Sequence, residues 1–258
     1  MTLFSDTRYL FVRYLQKLVR NPILLFFSLF QPIIFLLLFT QLFSRFAGTG
    51  FLAATGTDSY LEFATAGILL QNAFGSALQS GTSIVLDLDT GFLQKMLVTP
   101  VSRYAILLGR LTSDAFRVVI QSAIILALAY ALGAYVTTGI VGIVLMLVTI
   151  AFFGLAWAGI SLAIGLKTRS SETVFAIGGF ITFPLLFLST ALIPQIYMPN
   201  WIKDVSQFNP ISYTVDAVRA LMINGYIWDT VLKAYVVIGL IAVVTLGATL
   251  YLFRKVIE

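Results

Sequence analysis

The chain contains no cysteine and no histidine among its 258 residues. The first absence excludes disulfides, thiolate metal sites and cysteine nucleophiles. The second removes the commonest general base and metal ligand. Charge is also scarce, at 10% of residues, against about 25% in soluble proteins. What fills the space is apolar: 59% of residues are hydrophobic and the mean hydropathy is +0.98. This is the composition of a polytopic helical membrane protein. The apolar runs are continuous, whereas the strands of a membrane barrel alternate. The first run begins near Ile23 and lasts about 20 residues, longer than the core of a signal peptide, so no cleavable signal is expected.

A spanning helix needs about 20 apolar residues. Six segments qualify: residues 23–43, 60–86, 104–132, 139–166, 174–193 and 231–253. The expected fold is therefore all-α, one transmembrane domain over residues 1–258. Six spans place both termini on one side. Twelve of the 16 Lys and Arg fall in the termini and the alternate connections that share that side; only Arg45, Lys203, Arg219 and Lys233 fall on the other. The positive-inside rule makes the twelve cytoplasmic, and with them both termini. The net charge of +5 then follows from topology, and no nucleic-acid partner is needed.

Three elements lie outside the spans. Residues 1–22 read as an amphipathic helix on the inner leaflet, with Phe4, Phe11, Leu15 and Leu18 on one face and Arg13, Lys17 and Arg20 on another. It is either an anchor or one wall of a docking groove. Residues 45–59 are rich in glycine and threonine and read as an irregular outer connection. The outer connection 194–229 is too apolar for an ordinary loop. Pro194 and Pro199 interrupt it, and Trp201 suits an interface. Asn209 looks like an N-cap before Pro210, Ile211, Val215, Val218 and Met222 form a stripe, and Asn224-Gly225 closes the helix. Two short helices dipping back into the outer leaflet are expected, with Tyr213 and Trp201 at the interface and Arg219 pairing with Asp216.

The cytosolic segment 84–103 is the most informative. From Asp87 it reads D-L-D-T-G-F-L-Q-K-M-L-V-T-P-V-S-R. Leu88, Phe92, Leu93, Met96 and Leu97 recur at helical spacing, the acids stand at the start and Lys95 near the end. Pro100 stops the helix. Such a helix between two spans either docks a soluble partner or rests on lipid.

No phosphate-binding loop is present; the nearest approach, G-I-S-L-A-I-G-L-K-T at residues 159–168, has the wrong spacing. The spans carry almost no charge at their centres. Arg110, Asp114 and Arg117 read as a local ion-pair ladder where the third span emerges. Gln31, Gln71, Asn72 and Thr182 are candidates for lining a path, although such side chains are more often packing hydrogen bonds. Gly154, Ala158, Ser161 and Gly165 permit close approach of a neighbouring helix, in this chain or a second copy. Pro32 and Pro184 predict kinks.

Together these features resemble the membrane subunit of an ATP-binding-cassette exporter of the type-2 permease class, over nearly the whole chain. The most specific match is Asp89, Gly91, Leu93 and the run L-V-T-P-V-S-R at 97–103, which is similar to drug-resistance exporters of the daunorubicin type. The second is Pro194, Met198-Pro199, Trp201, F-N-P-I-S-Y at 208–213 and Arg219. The chain departs from the family pattern at Leu88, Phe92 and Gln94, where arginine, threonine and glutamate are common. The resemblance implies a dimer with a second copy or a paralogue, bound to two separate ATPase subunits that hold ATP and Mg. This chain would itself be no enzyme and hold no cofactor or metal. It also implies that Asp89, Gly91, Phe92, Leu93, Met96, Leu97, Thr99, Pro100 and Arg103 form the coupling helix, and that the N-terminal helix completes the docking groove. The expected function is outward movement of a lipophilic drug, lipid or glycan across the cell membrane. An ion-coupled carrier or channel is the alternative, and it predicts midplane charges or inverted repeats.

Overall fold

A computed structural model describes residues 3–43, 55–57, 59–99 and 101–257, of which 24, 97, 256 and 257 by backbone alone. Pro100, Arg45 and most of the outer connection 45–59 lie outside the described residues, as does the side chain of Leu97. The described residues are helical and contain no strand.

Helix α1 (Leu3–Val19) stops short of Asn21, and Pro22 opens α2 (Pro22–Phe43). Then follow α3 (Tyr60–Asp89), the single-turn-plus α4 (Phe92–Leu97), α5 (Arg103–Ala131), α6 (Gly139–Thr168) and α7 (Ser171–Phe187). A 3₁₀ turn (Gln195–Tyr197) leads to α8 (Asn200–Phe208) and α9 (Pro210–Arg219); a π turn (Ala220–Asn224) precedes α10 (Trp228–Ile257). Among the described residues, four stretches are long and apolar enough to cross a membrane: Leu25–Phe43, Arg103–Ala131, Gly139–Thr168 and Trp228–Lys255. Helix α3 is as long as α6 but more polar, and α7 is an apolar helix of 17 residues. It ends earlier than the hydropathy suggests, in turns around Ser189 that follow Pro184. Both α2 and α7 remain helical through Pro32 and Pro184.

Helices α3 and α6 form the centre. Around them stand α5, α7 and α10, with α2 on the flank of α3 and α1 lying on α5. The central contact is set by small residues. A side chain built on Gly81 would meet the Ser161 carbonyl oxygen at 2.5 Å, and one on Gly165 the Gly81 carbonyl oxygen at 2.7 Å. The partner of the small-residue pattern on α6 is therefore α3 of the same chain, and at Gly154 also Val118 of α5. Two threonines of α10 add hydrogen bonds where α6 is close: Thr245 donates to the Ala156 carbonyl and Thr249 to that of Gly159, both at 2.7 Å. Apolar lipid supplies no hydrophobic drive between helices, so such contacts carry the association. Phe74, Phe153 and Trp157 fill the space beside them, with ring centroids 4.9–5.4 Å apart.

Gly81→Val is expected to force α3 off α6 and cost about 1–3 kcal/mol, the usual penalty for overpacking. Unfolding of the purified variant in detergent measures it; a stability equal to that of the parent would place the contact elsewhere.

Candidate functional site

The end of the bundle that carries α4 is organised around one carboxylate. Asp87 occupies the last turn of α3, not the first turn of a separate amphipathic helix as the spacing suggests. The chain breaks two residues after α3 ends, at Gly91, whose φ of +66° is left-handed and suits glycine. A carboxylate at a helix C-terminus opposes the helix dipole, and here two cations offset it. Arg110 Nη1 of α5 donates to Asp87 Oδ2 at 2.9 Å, and Lys17 Nζ of α1 donates to Oδ1 at 3.2 Å. Asp87 is only 2% exposed and Arg110 3%.

Helix α1 is thus tied to α3 and α5. Its buried face carries Asp6, Leu10 and Tyr14, one step around from the expected Phe4–Phe11–Leu15–Leu18 stripe, and Phe4 is exposed. The reason is Gly109 of α5, over which Leu10 rests so closely that a Cβ there would lie 2.6 Å from its own. Asp6 accepts from the Ser102 backbone N–H at 3.3 Å, at the start of α5. The Arg13 guanidinium lies over the Phe92 ring of α4, 3.4 Å from its centroid, a cation–π contact. Tyr14 is buried between α1 and Arg110; burial pushes its phenol above the ordinary range, with Arg110 acting in the opposite sense. Arg20, the third cation of the expected basic face, is exposed.

From Arg110 a polar ladder continues along the α3–α5 seam. Ser80 donates to Asp114, which pairs with Arg117 at 3.4 Å; Arg117 also donates to Gln79 Oε1 at 2.6 Å and to the Ser76 carbonyl at 2.8 Å. Ser76 donates to Gln121 Oε1 at 3.0 Å, and Gln121 donates to Ser28 of α2 at 2.8 Å. Only Asp114–Arg117 of the expected local ion-pair ladder is local. Arg110 instead reaches Asp87, and α3 supplies most of the other partners. Sequence spacing shows a shared face but not what lies opposite it.

On α4 itself the division of faces differs from a partner-facing hydrophobic stripe. Leu93 is 1% exposed, Met96 is buried and Phe92 is half-buried under Arg13; all three pack within the chain. The outward face is Asp89, Gln94, Lys95, Val98 and Thr99, with Val98 at 87% exposure. Thr99 Oγ1 donates to the Met96 carbonyl at 2.6 Å and tightens the turn. Arg103 opens α5 and is exposed.

At the opposite end the N-cap reading is met. Asn209 Oδ1 accepts from Ile211 N–H at 3.0 Å, Pro210 begins α9, and Asn209 Nδ2 donates to the Leu185 carbonyl at 2.6 Å, fixing α9 to the end of α7. Arg219 pairs with Asp216 at 3.2 Å as expected, and also donates to the Thr190 carbonyl at 2.9 Å while stacking over Phe63 of α3. Beyond Arg219 the helix widens into the π turn before Gly225 ends it. Pro194 precedes the 3₁₀ turn, Pro199 caps α8, Trp201 is exposed on α8, and Tyr213 donates to the Gln207 carbonyl. Of the candidate lining residues, Gln31 is exposed on α2 and Gln71 half-buried. Asn72 hydrogen-bonds Ser122 at 3.4 Å, and Thr182 accepts from Trp157 Nε1 at 3.1 Å.

The pattern of the ABC-2 type transporter matches residues 5–223. The chain belongs to the ABC-2 type transporter family. The match takes in most of α1, the Asp87 cluster, α4 and the segment from α7 to Ile223. Among relatives, the chain is 31% identical to the daunorubicin resistance ABC transporter permease protein DrrB1 of Streptomyces coeruleorubidus, over 91% of this chain and 81% of that protein. It is 32% identical to the putative transport permease ycf38 of Cyanophora paradoxa, over 86% and 76% of the two chains. A more distant similarity, 24% over 73% of this chain, is to the probable multidrug ABC transporter permease YbhR of Escherichia coli strain K12. The protein is thus a multi-pass transmembrane subunit of the ABC transporter class.

The Asp87–Arg110–Lys17 triad escaped the sequence reading. The signal that pointed to it was an acid at the end of a predicted span followed, one loop later, by an arginine inside the next.

Proposed function

We propose that this ABC-2 permease is the transport half of an ATP-driven exporter, with hydrolysis of Mg–ATP performed by separate ATPase subunits, two per complex, against the face that carries α4. The observation that carries this reading is the placement of α4. It is a short helix between two long ones that Asp87, Arg110 and Lys17 tie to each other and to α1; α4 itself is held by the burial of Leu93 and Met96 and by the Arg13–Phe92 contact. Its outer face is left open. A push on that face is delivered to α3 and α5 together, because the triad joins them.

In this reading α2, α3, α5, α6, α7 and α10 are six spans, both termini are cytosolic, α1 lies at the inner interface, and α8 and α9 dip into the outer leaflet. The twelve-to-four distribution of cations supports the orientation. Two copies, or one copy with a paralogue, enclose the path, with α2, α3 and α7 nearest the axis. Exposed aromatics support this: Phe26, Phe27 and Phe30 on α2 and Phe180, Phe183 and Phe187 on α7 have no cover in a single chain. The cargo is a lipophilic drug, lipid or glycan-type amphiphile, in keeping with the resistance named for the Streptomyces relative.

The test is reconstitution with a cassette ATPase subunit that co-purifies with the chain. ATP-dependent accumulation of an anthracycline or a lipid-linked probe in inverted vesicles is expected, along with crosslinks between copies from single cysteines placed on α2 and α7. Uptake driven by a proton gradient without any ATPase would defeat the reading, and a strictly monomeric active complex would defeat its dimeric part.

A further inference from the structure

Beside the triad lies a cavity of ≈360 Å³, bounded by α1, α3, α5 and the first residue of α7. That volume is at the lower end of the range for small-molecule sites, about 300–1,000 Å³. Its lining is divided in character. Leu15, Leu18 and Leu86 form an apolar side, while Lys17, Arg110 and Arg117 face Asp114 across a polar one. Asp87, just behind, pairs with two of these cations. Three cations against two carboxylates leave one positive charge unmatched.

Two buried donors on this lining have no hydrogen-bond partner among the described residues. One is the Tyr14 hydroxyl and the other Arg117 Nε–H. Tyr14 is 8% exposed and Arg117 7%. A buried polar group without a partner costs about 1–3 kcal/mol, so a cavity that gathers two of them is built to receive a third party. Both unspent groups offer hydrogens, the local charge is positive, and an apolar wall runs alongside. The complementary ligand is a monoanion with oxygen acceptors attached to an apolar body.

From this geometry we infer that the cavity binds the phosphate group of an anionic lipid from the inner leaflet, with its acyl region along Leu15, Leu18 and Leu86. The leaflet assignment rests on the orientation proposed above; the phosphate chemistry does not. The Tyr14 hydroxyl donates to one phosphate oxygen, Arg117 Nε–H to another, and Lys17, partly open to solvent, supplies the nearest mobile charge. A lipid seated here touches α1, α3 and α5 at once, at the point where the triad joins them.

The full chain, purified without any ATPase, is placed in mixed micelles with equal phosphatidylglycerol and phosphatidylcholine, and the lipids it retains are counted by native mass spectrometry. Retention of phosphatidylglycerol over phosphatidylcholine is expected. Tyr14→Phe removes one hydroxyl from an otherwise intact ring, and loss of a hydrogen bond to a charged group is expected to reduce that preference about tenfold. Lys17→Gln, at a partly exposed position, is expected to reduce it as well and guards against a folding defect in the first variant. Equal retention of the two lipids, or equal retention of phosphatidylglycerol by the parent and both variants, overturns the inference. Inorganic phosphate supplies the remaining arm: if millimolar phosphate displaces the lipid with the same dependence on Tyr14, the occupant is a soluble anion and the lipid assignment falls. No transport is measured, so a negative result here leaves the exporter reading standing, and failure of the exporter reading leaves this result intact.

Discussion

Asp87→Asn is expected to lower the stability of the purified chain by about 3–5 kcal/mol, because removing one member of a buried ion pair strands the other. Arg110 is the stranded group. It is as buried as Asp87, and its remaining neighbours are the Tyr14 ring and the Asp114–Arg117 pair. Lys17 loses much less, being 42% exposed in its side chain. The double variant Asp87→Asn, Arg110→Met is expected to recover most of the loss, since a neutral, well-packed pair avoids the cost of desolvating two charges. Unfolding in detergent followed by tryptophan fluorescence gives both values. A single-variant loss below about 1 kcal/mol, the scale of an exposed pair, would mean that water reaches the triad and that it does not join α3 to α5.

The second large effect separates two residues five positions apart, Leu93 on α4 and Val98 at its C-terminal cap. Leu93→Ala is expected to destabilise the chain by about 2–5 kcal/mol, the cost of truncating a fully buried leucine. Val98→Asp is expected to leave stability unchanged, since its side chain points away from the chain. It is instead expected to weaken ATPase association by at least about 2 kcal/mol, because a carboxylate carried into a desolvated interface without a partner is costly to bury. Chaotrope unfolding reads the first and co-purification at graded ATPase concentration reads the second. If Val98→Asp binds the ATPase as the parent does, the docking surface is not the exposed face of α4.

These two residues also show what the sequence made legible and what it did not. Periodicity located the helix around Leu93 and showed that it has two faces. It could not say which face meets the chain's own core, because an apolar side chain is equally suited to an internal groove or a partner's. The helix limits came through in part, since hydropathy over about 20 residues is a strong signal: α5 and α6 begin within one residue of expectation, whereas α7 ends at Phe187, short of the expected limit at residue 193. The Asn209-Pro210 start of α9 was readable because capping is local chemistry. Arg110 was not readable in the same way: its nearest acid in sequence is Asp114, but its hydrogen bond goes to Asp87 on another helix. The π turn at Ala220–Asn224 left no sequence mark before Gly225, because it depends on tertiary anchors such as Thr138 donating to the Leu221 carbonyl at 2.6 Å.

The glycine contact between α3 and α6 has a mechanical consequence. With Gly81 and Gly165 seated against each other's helix and Thr245 and Thr249 bonded to the backbone of α6, these three helices behave as a chassis with almost no internal play. Movement relative to this chassis is then expected at its margins, on α2 with its mostly uncovered surface and on α7 with its free aromatic edge. Amide exchange that is slowest along the middle of α6 and fastest along α2 is the signature of that division, and uniform exchange across all three chassis helices and both margins would remove it.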